Sequence, residues 1–345
     1  WVRDRQEADG SWGGIQPPWV YSLLALHALG YTPDHPAMAA GLAGLDRFII
    51  RDRRGRRLEA CQSPVWDTAL TLVALSDAGV DPTEERIACA VRWLLAEEID
   101  VRGDWSVIRP QNPPGGWAFE FASDNYPDID DTAEVVVALD RMRASDPEGV
   151  QAAVDRGVRW TNGMQSRGGG FAAFDADNDS GLAGALPFCD FGEVIDPPSA
   201  DVTAHVVEML AHLVAVGRAA AVDRAVLERA VAWLSQQQES DGSWFGRWGA
   251  NHVYGTGAAV PAMIAAGIPS DDVRIARAVH WLESAQNDDG GWGEDLRSYD
   301  DPAWRGRGVS TPSQTASALL ALLAAGHLGD PTRRVSPDCR TRSKL

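Results

Sequence analysis

Cysteine is scarce in this chain, and the few cysteines that occur are scattered. Cys61, Cys89, Cys189 and Cys339 lie far apart in the sequence and form no C-x-x-C pair. Such spacing is typical neither of a zinc site nor of a disulfide framework. We therefore expect a reducing, cytosolic setting.

Basic residues are outnumbered by acidic ones, and long apolar runs are missing. The 31 Lys and Arg residues stand against 49 Asp and Glu residues, which leaves a formal net charge of −18 at pH 7. This balance argues against nucleic acid as a partner, because the phosphate backbone selects basic faces. No apolar run reaches the roughly 20 residues that a transmembrane helix needs, and no signal peptide is visible.

Tyrosine is rare but tryptophan is abundant, with five Tyr against fourteen Trp. The tryptophans mark an internal repeat, which is the first feature to look for in such a chain. The pattern Q-x-x-x-G-x-W occurs at residues 6–12, 111–117, 238–244 and 286–292, and a variant ending in Phe occurs at 165–171. We expect each Gln amide to bond the end of an adjacent helix, with the indole stacked beside it.

Two further signatures accompany the repeat and predict helices around it. A small residue, a Val and a Trp recur at 90–93, 157–160, 230–233 and 278–281. A Thr-Ala pair opens apolar segments at 68–69, 132–133, 203–204 and 315–316. The apolar residues follow at helical spacing, and no segment shows the sustained alternation of a strand.

These signatures predict an all-α fold in which an outer helix, a Gly-Trp turn and an inner helix alternate. Such helix pairs cannot bury their apolar faces alone, so they must stack into an α/α barrel (toroid) or an open solenoid. The charged run at 51–57 predicts a domain boundary, and the composition shifts to Pro, Arg and Ser from about Gly329. We predict the end of one domain at 1–57, a second domain at 58–329 and an irregular tail at 330–345. Since the chain begins at Trp1 inside a repeat, we expect it to be part of a longer protein and inactive alone.

The strongest candidate for chemistry is the run Asp128-Ile129-Asp130-Asp131, which immediately precedes a Thr-Ala pair and an apolar helix. Three carboxylates within four residues repel one another, so at least one is expected to keep its proton. The alternative is an acidic N-cap cluster that complements the helix dipole. The register of the repeats favours the catalytic interpretation, because the N-terminal ends of inner helices converge on one cavity in a closed barrel.

The same register brings a histidine into consideration. Asp67, Asp131 and the segment 201–205 occupy equivalent points of successive repeats. His205 is therefore a candidate to donate or share a proton with an aspartic acid. The alternative is a histidine that is simply satisfied within the core.

Sequence patterns that resemble metal sites fail in detail. The run at 175–181 resembles a calcium loop, but Ser180 stands where Gly is required and Leu186 where a bidentate Glu is required. The pair at 300–301 lacks a closing carboxylate for a magnesium–diphosphate site. We expect neither a metal nor a cofactor.

Several motifs together resemble the squalene–hopene cyclases of the terpene cyclase/mutase family. They are the Asp-x-Asp-Asp-Thr-Ala run, the Q-x-x-x-G-x-W repeats and the segments 63–68, 188–193 and 242–249, all in the family's order. The resemblance extends from Trp1 to about Leu323. It implies two α/α barrel domains, with the catalytic barrel beginning after residue 57.

The resemblance also implies roles for individual residues. Asp130 would protonate a terminal double bond, and His205 would hydrogen-bond that acid. Asp128, Asp131 and Tyr254 would form the supporting network. The remaining matches are cavity aromatics at Trp66, Phe119, Phe174 and Trp248, and a constriction of the substrate channel at Phe188 and Cys189.

The resemblance further implies a substrate and a place in the cell. Squalene would be cyclised to hopene or hopanol without a cofactor, by a protein bound peripherally (monotopically) to the cytoplasmic face of the cell membrane. Homodimers are a further implication. The chemistry is consistent, because an alkene is a very weak base and its protonation needs a strong, dry acid.

Three other functions stay open on the residues alone. A related class II cyclase with another polyprenoid substrate would share the aspartate run. A prenyltransferase β-subunit would share the barrel, but Asp201 and His205 have no accompanying Cys to complete a zinc site. A non-catalytic α/α-repeat binding module would keep the tryptophan motifs and have no need of the aspartates.

Overall fold

The fold is a succession of helices, which a computed structural model describes over residues 1–181, 195–218 and 222–327. Within these ranges the chain forms eleven α-helices and one two-stranded sheet. The residues group into two compact units, Trp1–Met164 and Gln165–Leu345. The predicted domain limits at 57 and 329 stay predictions.

The first unit contains six helices. Four of them carry Pro in the first turn, where its fixed φ and missing N–H suit the start of a helix. The helices are α1 Gln16–Ala28, α2 Pro36–Arg47, α3 Pro64–Asp77, α4 Glu85–Ala96, α5 Ile129–Arg141 and α6 Pro147–Gly163.

The second unit continues the series with five helices. Aspartate side chains cap two of them by accepting hydrogen bonds from first-turn N–H groups, at Asp223 and Asp272. None of the helices within the described ranges is long and apolar enough to cross a bilayer. The helices are α7 Ala200–Ala215, α8 Arg224–Gln236, α9 His252–Ala265, α10 Val273–Ser284 and α11 Pro312–Ala324.

The helices alternate between two kinds of burial. Helices α5, α7 and α9 are buried on nearly every face, whereas α4, α8 and α10 bury single apolar stripes. Helix α3 packs against α5 in the first unit, and α9 packs against both α7 and α11 in the second. This is the alternation of inner and outer helices that the repeats predict.

The predicted role of the motif glutamine is confirmed in three copies. The Nε2 atoms of Gln6, Gln165 and Gln238 donate to main-chain carbonyls in the first turn of the next outer helix, at 2.8–2.9 Å. Each Nε2 also donates to the carbonyl of the motif glycine four residues later, which closes the turn. The copy at 111–117 is an exception, since Asn112 rather than the exposed Gln111 donates to a helix, at the carbonyl of Trp160.

The motif glycine is required for two reasons. In Gly242, for example, φ is +104°, which L side chains rarely adopt. A Cβ at this position would also lie 2.8 Å from the carbonyl oxygen of Arg277 in α10. The turn can therefore approach the outer helix closely only if it carries glycine here.

The motif tryptophan satisfies a helix end. The indole N–H groups of Trp117, Trp244 and Trp292 donate to carbonyls in the last turn of the preceding outer helix, at 2.6–2.8 Å. Carbonyls in a last turn have no partner within their own helix. The indole therefore acts as a buried C-terminal cap, a role that the repeat pattern alone does not reveal.

The threonine signature is explained by the same turn. The main-chain N–H of the motif aromatic residue donates to a threonine Oγ1 on the next inner helix, at 2.9–3.0 Å. The four pairs are Trp117 with Thr132, Phe171 with Thr203, Trp244 with Thr256, and Trp292 with Thr315. Each Thr therefore fastens an inner helix to the turn before it.

Within the described residues one pair of strands interrupts the helices, and the sequence pattern does not predict it. Residues Ile49–Asp52 and Gly55–Leu58 form an antiparallel hairpin, which contains the charged run at 51–57. Gly55, at φ +113°, provides the tight turn, and Arg57 pairs with Asp52 at 2.6 Å across it. The strands are short and mostly exposed, so they lack the alternation by which a strand is recognised from sequence.

We predict that Gln238→Ala lowers the free energy of unfolding by about 1–3 kcal/mol, because two hydrogen bonds to main-chain carbonyls are lost. Urea unfolding of the chain measures the change. The neighbouring Gln237 is exposed, so Gln237→Ala serves as the control and should stay within about 0.5 kcal/mol of the parent. Equal losses in the two variants would show that the motif hydrogen bonds do not stabilise the repeat.

Candidate active site

The aspartate run lies at the N-terminus of α5. Asp128 is the N-cap residue, and its Oδ1 accepts hydrogen bonds from the main-chain N–H of Asp130 at 2.8 Å and of Asp131 at 3.4 Å. This arrangement satisfies N–H groups that a helix start leaves without partners. The acidic N-cap interpretation is therefore correct for Asp128.

All three carboxyl groups are withdrawn from water. The exposed fractions are 7% for Asp128, 7% for Asp130 and 2% for Asp131. Ile129, within the run, and Ala133, two residues after it, are fully buried. Charged groups are rarely buried to this extent unless they are paired or used, because removing a charge from water is costly.

A set of hydrogen bonds around Thr132 fixes the start of α5. Thr132 Oγ1 accepts from the N–H of Trp117 at 2.9 Å and donates to the carbonyl of Asp128 at 2.6 Å. The N–H of Asp128 in turn donates to the carbonyl of Trp117 at 2.8 Å. The repeat turn and the acid-bearing helix start are therefore joined at two points, and the third hydrogen bond ties Thr132 to Asp128 within the helix start.

Two of the predicted cavity aromatics belong to the same unit. Trp66 lies in the first turn of α3, which packs against α5, and it is half-buried. Phe119 is also half-buried, and it lies in the loop 118–127 between Trp117 and Asp128. The unit therefore brings aromatic side chains onto the elements that carry or adjoin the acid cluster.

The other predicted aromatics belong to the second unit. The rings of Phe174 and Trp248 meet edge to face, with centroids 6.0 Å apart. The main-chain N–H of Trp248 donates to Oδ2 of the fully buried Asp201 at 2.8 Å. Asp201 of α7 therefore holds the loop that carries Trp248.

His205 and Tyr254 also come together in this unit. Their rings meet edge to face at 6.4 Å, from α7 and α9 respectively. Glycines make room for the tyrosine, since a Cβ at Gly246 or at Gly249 would lie 2.7 or 2.4 Å from its Cδ1. Tyr254 is thus held beside His205 by helix packing and by the loop before α9.

Asp196 is a residue that the sequence motifs do not single out. Its carboxylate accepts hydrogen bonds from three consecutive N–H groups, of Ala173 at 3.4 Å, Phe174 at 2.7 Å and Asp175 at 2.9 Å. Burial raises the pKa of Asp196 above its usual range, although these N–H donors act to lower it. Asp196 therefore fixes the main chain of Phe174. No pattern in the sequence could have revealed this, because the contact spans 22 residues.

A histidine–glutamate pair at the start of α9 was also missed. His252 Nδ1 lies 2.9 Å from Glu294 Oε1, and both side chains are buried. Burial acts to raise the pKa of Glu294, but the hydrogen bonds from His252 and from the N–H of Val253 lower it below its usual range. This pair anchors the helix that carries Tyr254.

The structure thus groups the predicted residues into two sets. Asp128, Asp130, Asp131, Phe119 and Trp66 belong to the first unit, and His205, Tyr254, Phe174 and Trp248 to the second. The pairing of Asp130 with His205 stays a prediction. Phe188 and Cys189 lie outside the described residues.

Family models match nearly the whole chain. The model of the squalene-hopene cyclase C-terminal domain matches residues 62–336, and that of the N-terminal domain matches residues 1–54. These matches separate the two parts near the hairpin.

Curated relatives give the same result. A squalene–hopene cyclase of Alicyclobacillus acidocaldarius is 53% identical over 329 residues, covering 94% of this chain and 51% of the relative. A dammaradiene synthase of Dryopteris crassirhizoma is 39% identical, covering 94% of this chain and 50% of the relative. The chain therefore spans about half the length of the curated relatives that it matches.

A solved structure shows the fold. The ent-copalyl diphosphate synthase of Streptomyces platensis is 23% identical, with a TM-score of 0.57 over 87% of this chain and 46% of that one. Its likeness confirms the predicted fold class, the α/α barrel type built from repeated helix pairs. With the family models and the 53% identical relative, it follows that the chain belongs to the squalene–hopene cyclase family.

Proposed function

We propose that this chain supplies the acid and much of the aromatic lining of a class II terpene cyclase that converts squalene to hopene and hopanol. The observation that carries the proposal is the buried aspartate run at the N-terminus of α5. Membership of the squalene–hopene cyclase family supports the substrate and the reaction.

Asp130 is the proton donor of the reaction. Its carboxylic acid adds a proton to one carbon of the terminal double bond, and the carbon that loses the shared electron pair becomes a cation. Successive double bonds attack this cation and pass it along the chain. The last cation loses a proton to give hopene, or takes up water and then loses a proton to give hopanol. The first outcome is an isomerisation, and the reverse of the second is the elimination that a hydro-lyase performs.

Other residues of the proposed site support Asp130. Asp128 already accepts two N–H groups of the helix start and so holds the N-terminal end of α5 in place. Asp131 and Tyr254 complete the supporting network. His205 hydrogen-bonds the acid and stabilises the carboxylate that remains after proton transfer.

The aromatic side chains protect and guide the cation. A carbocation reacts with any nearby nucleophile or water, whereas an aromatic face stabilises it by up to about 2 kcal/mol when water is excluded. The edge-to-face contact of Phe174 with Trp248 fixes the orientation of both rings. Trp66 and Phe119 provide further ring faces in the first unit.

The substrate also determines where the protein works. Squalene dissolves in lipid rather than water, so we propose that the protein binds one face of the membrane, on the cytoplasmic side, as a peripheral (monotopic) protein. Homodimers are part of the same proposal.

A second candidate is a related class II cyclase that acts on another polyprenoid or makes another product. The 39% identity to a dammaradiene synthase favours including it. Incubating the complete protein with several polyenes and identifying the products separates the two candidates.

We predict that Asp130→Asn abolishes cyclisation by the complete protein, because an amide keeps the shape of the acid but cannot deliver a proton. Product formation from squalene, measured by gas chromatography, should fall below detection while the melting temperature stays near that of the parent. Asp46→Asn, at an exposed position of α2, is the matched control and should keep full activity. Turnover by a folded Asp130→Asn protein would remove Asp130 from the proposed role.

We predict that a chelator leaves cyclisation by the complete protein unchanged. Protonation starts the reaction, so no diphosphate has to leave and no Mg²⁺ is needed to assist it. Initial rates with and without EDTA test this expectation. Inhibition that added Mg²⁺ reverses would instead indicate a cyclase that ionises a diphosphate.

A further inference from the structure

A second pair of acidic residues is buried in the first unit, away from the aspartate run. Glu120 is 4% exposed and lies in the loop 118–127, which leads from Trp117 to Asp128. It shares a hydrogen bond with Glu7, which belongs to the first repeat motif at residues 6–12. Two carboxyl groups can hydrogen-bond each other only if one of them carries a proton.

The hydrogen-bond partners show which residue carries that proton. Glu7 accepts hydrogen bonds through both carboxylate oxygens, from Ser11 Oγ at 2.5 Å and from the N–H of Gly13 at 2.8 Å. Glu120 accepts through Oε2 alone, from the N–H of Ala122 at 3.3 Å. Its Oε1 is buried and receives no donor from the described residues. Glu120 is therefore placed as the neutral acid, which donates to Glu7.

The electrostatic surroundings agree with this assignment. Burial, the hydrogen bond to Glu7, and the charges of Glu7 and Asp9 together raise the pKa of Glu120 to about 9. Asp9 is itself paired with Arg47, 3.1 Å away. Within the part of the chain that the structure describes, Glu7 and Asp9 are the charged groups that act on the pKa of Glu120.

Gly14 leaves room for the Glu120 side chain because glycine has no Cβ atom. A Cβ on Gly14 would lie 2.3 Å from Cγ and 2.6 Å from Cδ of Glu120. The adjacent Gly13 has a similar positive φ, +74° against +57°, but a Cβ there would meet nothing within 4 Å. The two glycines therefore differ in whether they make room for Glu120.

The other end of the same loop is also held to the N-terminal segment. Tyr126 OH donates to Asp104 Oδ2 at 2.7 Å, and Arg5 Nε donates to the same oxygen at 3.1 Å. The loop is therefore fastened at two points, by an ion pair through Asp104 and by a hydrogen bond between carboxyl groups.

We propose that Glu120 is a positioning residue, and that its shared proton holds the loop 118–127 against Glu7 and thereby fixes Phe119 and Asp128. The effect on the loop stands on the contacts described above. The consequence for cyclisation rests on the proposed function.

This arrangement makes the stability of the unit depend on pH. An ordinary glutamate has a pKa of 4.5, whereas that of Glu120 in the folded protein is about 9. The stabilisation is fully present below the pKa of the unfolded state. It is lost as the pH rises through the pKa of the folded state, because the deprotonated Glu120 would face the negative charge of Glu7.

The first experiment compares the chain with its Glu120→Gln variant by urea unfolding between pH 5 and pH 9.5. Glutamine keeps an N–H donor toward Glu7 at every pH. We expect the unfolding constant of the parent to rise relative to that of the variant by up to about tenfold per pH unit above pH 5. A ratio that does not change with pH would overturn the proposal.

The glycine variants provide an independent test. Gly14→Ala should displace Glu120, so the pH dependence of the unfolding constant should be lost. Gly13→Ala adds backbone strain alone, so its unfolding constant should keep the pH dependence of the parent. Identical pH profiles for the two variants would contradict the proposal. If Gly14→Ala does not fold, the comparison of the parent with Glu120→Gln still tests the proposal, because the glutamine side chain fits the space that glutamate occupies.

The last readout is cyclisation by the complete protein. Between pH 7 and pH 9.5, the parent should lose more of its rate than Glu120→Gln, without a matching change in KM. If unfolding follows the expected profile but the rates of both proteins fall equally, the positioning role is wrong. Failure of the proposed function would look different. Turnover of squalene by Asp130→Asn would overturn that function, but the pH dependence of unfolding would still support the role of Glu120 in holding the loop.

Discussion

The hydrogen bonds around Thr132 are the constraint on which the acid cluster depends. One hydroxyl group joins the N–H of Trp117 to the carbonyl of Asp128 and so ties the repeat turn to the first residues of α5. The Trp117 indole caps α4 at the same time. Three elements therefore meet at this turn, and a shift in any of them would displace the N-cap carboxylate. The position of the acid is a consequence of how the repeat is built.

The same construction recurs at helix starts that lack the aspartate run. Thr203, Thr256 and Thr315 accept the corresponding N–H groups at the starts of α7, α9 and α11. The repeat is thus a general means of fixing the N-terminal ends of inner helices. Chemistry depends on what each copy adds: carboxyl groups before Thr132, and a buried aspartate with a histidine four residues later on α7. This is the separation of scaffold from site that is expected when one fold serves many functions.

Close packing of polar groups limits where glycine can be replaced. Gly246 and Gly249 leave the space that the Tyr254 ring fills, and Gly14 leaves the space for Glu120. In each case a small residue in one element determines the position of a larger side chain in another. Such contacts tolerate no added methyl group, because the interior has no voids to take it up.

The local sequence determined the helices, their caps and the repeat. Helical spacing, prolines in first turns and the Q-x-x-x-G-x-W motif depend on neighbouring residues, so they can be read along the chain. The aspartate run and its N-cap role were accessible for the same reason. The hairpin at Ile49–Asp52 and Gly55–Leu58 was not, because its strands are short and exposed.

Only the tertiary structure decided which distant groups meet. Asp196 binds the main chain of Phe174 across 22 residues, and His252 meets Glu294 across 42. The hydrogen bond between Glu7 and Glu120 spans still more of the chain. Nothing in the local sequence marks these partners, because hydrogen bonding and burial depend on distance in space. Whether an acid keeps its proton is likewise a property of its surroundings: burial, the hydrogen bond to Glu7 and the charges of Glu7 and Asp9 raise the pKa of Glu120 above that of an ordinary glutamate.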